Sequence, residues 1–517
     1  MFIVDPEVAN QVTVRKSLPK SRLSGAFLDK LLGSGNMVSI DGPRWKSVRS
    51  AFNPGFASGN IMSLMPYIVD AVSVFSQILA EKAKTGEIFQ LEEVATRLTI
   101  DVITKLTMDL NLDSQHSDPQ IFTTFRKQIS VMSLVVYDEW IKDMAFRLVS
   151  GIYLWYNGRK LDTCIGQEID KCYARRRSEK MNLGATKEVK SPSKATQERT
   201  NSRYIFDLAF DTYQSAAGGP YGRQADNSTA DTDMNPTFRQ SAIVQIKTFI
   251  FAGHDTTSSV ISWMLYLLHK HPRIHGKVTE ELNLIFGPTS SSAADRLRAD
   301  PYLVNRLPYC TAVIKETMRI FPPASSMRYG DGELQVTVND SGETSKGAAT
   351  SSTTSSTYPT QGFHIWPVVH AIHRHSAYFP EPTSFVPERH LDNLPKPPFP
   401  EAKQFKNAWR PFEKGPRNCI GQELAMVELK IVMALVVREF DFEAIYPPVN
   451  TNRYAKHNEK EADNRRTVPA DSDSDIMTNK EMVEGHRCYP VLHATAKPKD
   501  GMPGKIKRVN PKEEAVI

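Results

Sequence analysis

Through most of the chain the apolar residues recur at the three-to-four spacing of amphipathic helices. Residues 57 to 180 read as several such helices, one with the stripe Leu64, Tyr67, Ile68, Ala71, Val72 and Phe75, a later one with Leu98, Ile100, Val102 and Ile103. The longest apolar run at helical spacing extends from Gln240 to Lys270, and a further helix opens at Gln422 with Leu424, Val427, Ile431, Val432 and Leu435 on its apolar side. Strand-like patterns are short and sit at the two ends, in the first residues and in C-Y-P-V-L-H. The pattern predicts a mainly α protein with a small β region.

Between these elements, Gly25 to Ile40 is mixed and glycine-bearing and reads as a loop. Residues 185–235 read as mobile loops around one short helix that contains the apolar island Ile205 to Phe210. Twelve of the twenty residues from 341 to 360 are Ser or Thr, which predicts a disordered excursion from a hairpin, and a polar, charged excursion spans about 450–480. Residues 1–517 are therefore read as a single domain interrupted by low-complexity insertions near 185–235, 341–360 and 450–480.

Two helices carry polar groups where a core helix would not. In the longest, Gly253, Asp255, Thr256 and Thr257 cluster mid-way, and glycine with back-bonding threonine tends to bend or open a turn. The other, P-Y-C-T-A-V-I-K-E-T-M-R-I, has Pro308 in its first turn and is stopped by Pro322 and Pro323; Glu316 and Arg319 share one of its faces. Earlier, Trp45 and Arg49 are four apart and together can reach one acidic ligand if they lie on a helix.

Composition changes this picture little. A formal charge of +6 with both signs interspersed gives no reason to expect nucleic acid as a partner. Five cysteines with no C-x-x-C pair argue against a disulfide framework and a zinc site. No run of eighteen apolar residues occurs.

The candidate chemistry converges on R-P-F-E-K-G-P-R-N-C-I-G-Q, in which Cys419 stands at the entrance to a helix. The unpaired N–H groups of a first helical turn favour a thiolate, which ligates metal, and Arg417 places a positive charge two residues away in sequence. Gly415 and Gly421 allow a sharp fold and close approach to a flat ligand. Phe412, Gly415, Arg417, Cys419 and Gly421 complete the pattern F-x-x-G-x-R-x-C-x-G, and the chain thereby resembles the cytochrome P450 family of haem-thiolate monooxygenases.

The resemblance implies a cytochrome P450 fold that binds haem b, with Cys419 as the iron ligand. It further implies that Ala252 to Thr256, A-G-H-D-T, lies over the haem with Asp255 and Thr256 organising proton delivery. Trp45, Arg49 and Arg328 would meet the haem propionates, Ala324 to Ser326 would line the substrate pocket, and Glu316, Arg319 and Arg389 would form a structural network behind the haem. The expected reaction inserts one oxygen atom from O2 into a lipophilic small molecule, by likeness to filamentous-fungal members an intermediate of secondary metabolism. Electrons would come from an NADPH-dependent cytochrome reductase, docking on a basic set of Lys403, Lys406, Arg410 and Lys414. Microsomal members carry an N-terminal anchor, so a preceding piece and the cytoplasmic face of the endoplasmic reticulum membrane are expected by resemblance, whereas this chain alone reads as soluble. A family-like isomerase or dehydratase that needs no external electrons, and a non-catalytic haem-binding protein, are the alternatives.

Overall fold

A computed structural model describes residues 1–137, 144–185, 204–215, 234–340 except 289, 354–446 except 393, 395 and 403–406, and 488–509 except 494. The insertion near 450–480 lies outside these residues, as do Lys403 and Lys406 and most of 185–235; within the last, Ile205–Ser215 is a helix.

Helices dominate. The long helix Pro236–Lys270 crosses the core, capped by Asn235, whose side chain accepts from the N–H groups of Thr237 and Phe238. It packs along Leu91–Met108, where Thr99 donates to the carbonyl of His254 at 3.0 Å. The close crossing depends on Gly253, since a Cβ there would lie 2.9 Å from Cγ1 of Ile103. Farther along, Trp263 stacks on Phe321 with ring centroids 3.7 Å apart. Contrary to the expected opened turn, the long helix stays α-helical through Gly253 to Thr257; the Thr256 hydroxyl donates to the Ala252 carbonyl at 2.7 Å without breaking it.

The β structure is small and peripheral. Phe2–Ile3 runs parallel to His364–Pro367, which pairs on its other edge with Arg328–Tyr329. Pro503–Arg508 lies between Phe89–Gln90 and Phe440–Ala444, so part of the basic tail is a strand. Pro490–His493 forms a hairpin with Thr495–Pro498.

Two loop expectations are corrected. Arg22–Leu32 is a helix: Ser21 caps its first turn by accepting from Leu23 N–H, Gly33 at φ 97° ends it, and Leu31 and Leu32 bury into the core. Composition concealed this because Gly25 and Gly33 read as breakers. Thr354–Pro359, inside the Ser/Thr-rich stretch, is a strand paired with Gln335–Asp340. Threonine suits strands, and pairing with Val336 and Val338 overrides the low complexity.

The helix Pro308–Ile320 anchors a buried ionic network. Both nitrogens of a fork on Arg319 donate to Glu316 at 2.9 Å, and Nε of Arg389 reaches Glu316 at 3.0 Å. His390 lies 2.9 Å from the same carboxylate and Val386 N–H donates to it at 3.0 Å. Burial alone would raise the Glu316 carboxyl, but hydrogen bonds from His390 and Arg319, with the charge of Arg319, hold it at about 2. His390 moves down as well, since burial outweighs its bond to Glu316.

A carboxyl held below its unfolded value of 4.5 contributes stability that is present above pH 4.5 and is lost as pH falls toward 2. Glu316→Gln is therefore expected to destabilise the protein by about 3–5 kcal/mol at neutral pH by leaving buried guanidinium groups unpaired. It should also flatten the decline between pH 4.5 and 2, as read by urea unfolding across pH.

Candidate active site

The segment before Cys419 is tied down residue by residue. Cys419 N–H donates to the Phe412 carbonyl at 2.9 Å, which closes the loop on itself. Gly415 has φ 81°, and a Cβ there would meet the Thr13 carbonyl oxygen at 2.4 Å, so this position admits no side chain. Arg410 N–H donates to Nε2 of His373 at 2.9 Å, and the Arg410 guanidinium bonds the Thr13 hydroxyl at 2.7 Å and Glu413 at 3.0 Å. Arg410 is thus buried and cannot belong to an exposed basic docking set; Lys414, placed 5.8 Å from the Trp409 ring centroid, is the member of that set within the described residues.

Behind the loop the helix Gln422–Val432 carries the cysteine end toward a cavity of about 320 Å³. Cys419 is exposed and opens onto this cavity. Among the described residues it is the only cysteine on the cavity wall. The opposite wall is the long helix, which contributes Thr248, Phe249, Ala252, Gly253, Thr256 and Thr257. Phe56, Ile103 and Val369 add apolar surface, and Ala324 to Ser326 line the cavity as the sequence predicts.

Cations gather at one edge. Arg49 lines the cavity and donates to the Asn418 carbonyl at 2.8 Å. Arg417 pairs with Asp41 at 2.6 Å and lies over the Trp45 ring at 4.5 Å, so its charge faces that pair and not the sulfur. Lys20 joins them on the wall; burial, then the charges of Arg328 and Arg417, bring its ammonium down to about 7. Arg328 stands beside Lys20, fully buried, with Nε and Nη2 lacking any partner among the described residues. Lys20 escaped the sequence reading because a lone lysine in P-K-S carries no periodic or motif signal.

Burial pushes the Cys419 thiol up, and the Gly421 N–H and Arg49 pull it down without cancelling that effect. The helix end favours a thiolate as the sequence argues, but Arg417 faces Asp41 and burial opposes ionisation, so coordination to a cation would complete the deprotonation. The crowd of cations, with unpaired guanidinium N–H groups behind it, fits a flat ligand bearing carboxylates, and the room above Gly421, where a Cβ would sit 3.9 Å from the sulfur, fits its approach.

The family model for cytochrome P450 matches residues 1–329 and 360–456. The chain belongs to the cytochrome P450 family. A cytochrome P450 monooxygenase from Polytolypa hystricis, polC, is 29% identical over 516 residues, covering 100% of this chain and 80% of its own. The Aspergillus aculeatus monooxygenase acrF is also 29% identical, over 97% of this chain and 90% of the relative. Human cytochrome P450 4V2 is 26% identical over 84% of this chain and 73% of its own. A crystal structure of a cytochrome P450, CYP102L1, superposes with a TM-score of 0.65 at 16% identity over 98% of this chain and 92% of that one, which shows the fold. The chain is a haem-dependent monooxygenase of this family.

The P450 motif residues separate on inspection. Phe412, Arg417, Cys419, Gly421, Trp45, Arg49 and Thr256 all reach the cavity wall. Asp255 does not, because adjacent helical residues point about 100° apart. It is fully buried behind the long helix, 2.6 Å from the Lys497 ammonium and accepting from the Thr495 hydroxyl at 2.5 Å. Lys497 also meets Glu92 at 2.6 Å, and burial, which would lower it, is overcome by these two carboxylates, so its ammonium is held above the usual range. Neither Thr495 nor Lys497 was foreseen from sequence, since a partner 240 residues away leaves no local trace.

Removing Lys497 strands two buried carboxylates. Lys497→Met is expected to cost about 3–5 kcal/mol in urea unfolding. Adding Asp255→Asn to it should recover part of that loss, the double-mutant difference measuring the coupling.

Proposed function

We propose that this monooxygenase oxidises a lipophilic small molecule, an intermediate of fungal secondary metabolism, with electrons from an NADPH-dependent cytochrome reductase. The observation that carries the reading is Cys419, open to an apolar cavity whose far wall holds Thr256. Two fungal monooxygenases among the relatives support the pathway class. No helix among the described residues is long and apolar enough to cross a membrane, and placement at the cytoplasmic face of the endoplasmic reticulum rests on family likeness alone.

Each group in the cavity has a physical task. Cys419 holds the haem iron, and Lys20, Arg49 and Arg417, with Trp45 and with Arg328 behind them, meet the carboxylates of the haem edge. Bound haem supplies electron transfer and oxygen activation, which a thiolate ligand favours. Phe56, Ile103, Phe249 and Val369 exclude water and hold apolar substrate by burial alone, which selects for lipophilicity and not for one molecule. Thr256, whose hydroxyl proton is engaged by Ala252, keeps lone pairs free to accept a proton on the cavity side. Asp255 holds the long helix in place through Lys497 and Thr495. The intact Thr256 wall favours oxygen insertion over electron-free rearrangement or dehydration.

Incubating the reconstituted enzyme with a metabolite extract should yield a product heavier by one oxygen atom, and dependent on NADPH. Cys419→Ser should abolish the ferrous carbon monoxide absorption band of thiolate-ligated haem; persistence of the band would refute the ligand assignment. Thr256→Ala should leave haem content and that band intact while diverting electrons to hydrogen peroxide. Equal peroxide yields from variant and parent would reduce Thr256 to a helix residue.

A further inference from the structure

Met37 and Val38 also line the cavity, and they sit on a turn between the helices Arg22–Leu32 and Gly42–Phe52. The turn is closed on itself. Asn36 is fully buried; its side-chain amide donates to Asp29 at 2.8 Å and to the Gly33 carbonyl at 3.1 Å, and its Oδ1 accepts from Ser39 N–H at 3.0 Å. The Ser39 hydroxyl donates to the same Asp29 oxygen at 2.9 Å. Bonded in this way to the end of its own helix, the turn keeps its shape as a unit, and its distance from the cavity is decided by what ties it to the rest of the protein.

Among the described residues two side chains tie it by hydrogen bonds. Arg417 reaches the Met37 carbonyl at 3.3 Å and the Val38 carbonyl at 3.4 Å, both long, while its short bond of 2.6 Å goes to Asp41. Gln245 holds the turn more closely. Its Oε1 accepts from Met37 N–H at 2.9 Å and its Nε2 donates to the Gly35 carbonyl at 2.9 Å, so one amide satisfies a donor and an acceptor two residues apart. Gln245 stands on the long helix, one turn before Thr248 and Phe249 of the cavity wall, and is itself fully buried and off that wall. Its neighbours Val244 and Ile246 are apolar and buried, so a residue serving packing alone would be a leucine. A polar amide stays in such a place through the two bonds it makes to the turn.

We propose that Gln245 is a positioning residue that sets which lipophilic molecules the cavity accepts, by holding Met37 and Val38 at its wall. With the amide in place both side chains stand at one depth, and a ligand too broad for that depth must break two buried hydrogen bonds to push the turn away. Without the amide, Met37 N–H and the Gly35 carbonyl lose their interior partner and are drawn to water. The turn, being closed on itself, then moves outward as a body and takes Met37 and Val38 with it, which widens the cavity. Selection by shape is thereby added to selection by apolarity: the substrate class is a lipophilic molecule slim enough to lie inside the Met37 wall.

The role assigned to Gln245 rests on the monooxygenase reading, and one experiment separates the two. Full-chain holoenzymes of the parent and of Gln245→Met, which keeps the length of the side chain and removes its donor and its acceptor, are titrated with imidazole and with a series of N-aryl imidazoles of increasing breadth. Binding is read from the shift of the haem absorption band when the ring nitrogen ligates iron. Gln245→Met should leave the affinity for imidazole as it is in the parent and raise the affinity for the broadest aryl imidazole by about tenfold or more relative to it. Loss of packing alone would weaken all the ligands together. Hydrogen exchange in the cofactor-free proteins should show the Met37 amide slow in the parent and fast in Gln245→Met. A Gln245→Met enzyme with the carbon monoxide band and with the parent's affinity ratio overturns the positioning role and leaves the monooxygenase reading standing; a parent without that band overturns the reading itself. Should Gln245→Met fail to fold, Met37→Ala takes its place: a ratio equal to the parent's overturns the role, and a ratio shifted toward the broad ligands, together with slow exchange at Met37 in the parent, supports it.

Discussion

The loop before Cys419 closes its polar groups on partners within the protein, and that constraint governs the site. The partners come from distant parts of the chain: the Thr13 hydroxyl, Asp41, Arg49 and the ring of His373. His373 is the joint. Its Nε2 accepts from Arg410 N–H at 2.9 Å and its Nδ1 lies 3.0 Å from the Arg319 carbonyl, an arrangement that requires the neutral ring with the proton on Nδ1. Burial, which drives His373 well below its ordinary value, enforces that neutral form. The Glu316 network and the cysteine loop are therefore one construction, since Arg319 also donates to the His373 carbonyl at 3.0 Å.

Charge is arranged differently on the two sides of the cavity. Around Glu316 two guanidinium groups, Arg319 and Arg389, share one carboxylate and complete their bonding on backbone carbonyls. At the cavity edge Lys20, Arg49, Arg328 and Arg417 outnumber Asp41 and Glu413, and Arg328 keeps unpaired nitrogens. Interior cations in excess cost free energy until an anion arrives. Under the proposed haem placement the residues that strain the empty fold are the ones that retain the cofactor, and Lys20, its ammonium brought down by burial and by Arg328 and Arg417, stands among them.

Much of this was legible in the chain. The helical stripes gave the scaffold, and the spacing from Phe412 to Gly421 located the cavity floor, because a motif of that kind records local backbone geometry. Illegible were contacts whose cause lies elsewhere in the fold. Arg410 reads as a surface cation until His373 and Thr13 enclose it, and Asp255 reads as a partner of Thr256 until the helical rotation and Lys497 separate them. Arg22–Leu32 and Thr354–Pro359 went unread because glycine and serine composition masked a cap and a strand pairing that only tertiary contact stabilises.

The hairpin Pro490–Pro498 also binds the long helix at a second point, where Ser259 donates to the Ala496 carbonyl at 2.8 Å, while Ala496 N–H reaches the Pro323 carbonyl at 2.8 Å. Ribosomal synthesis delivers the Lys497 charge long after Asp255. Until then Asp255, hundreds of residues earlier, is an acid destined for the interior with no cation to meet it. Closure of the core at Asp255 therefore waits on docking of the hairpin, a contact of high sequence separation that the long helix cannot make on its own.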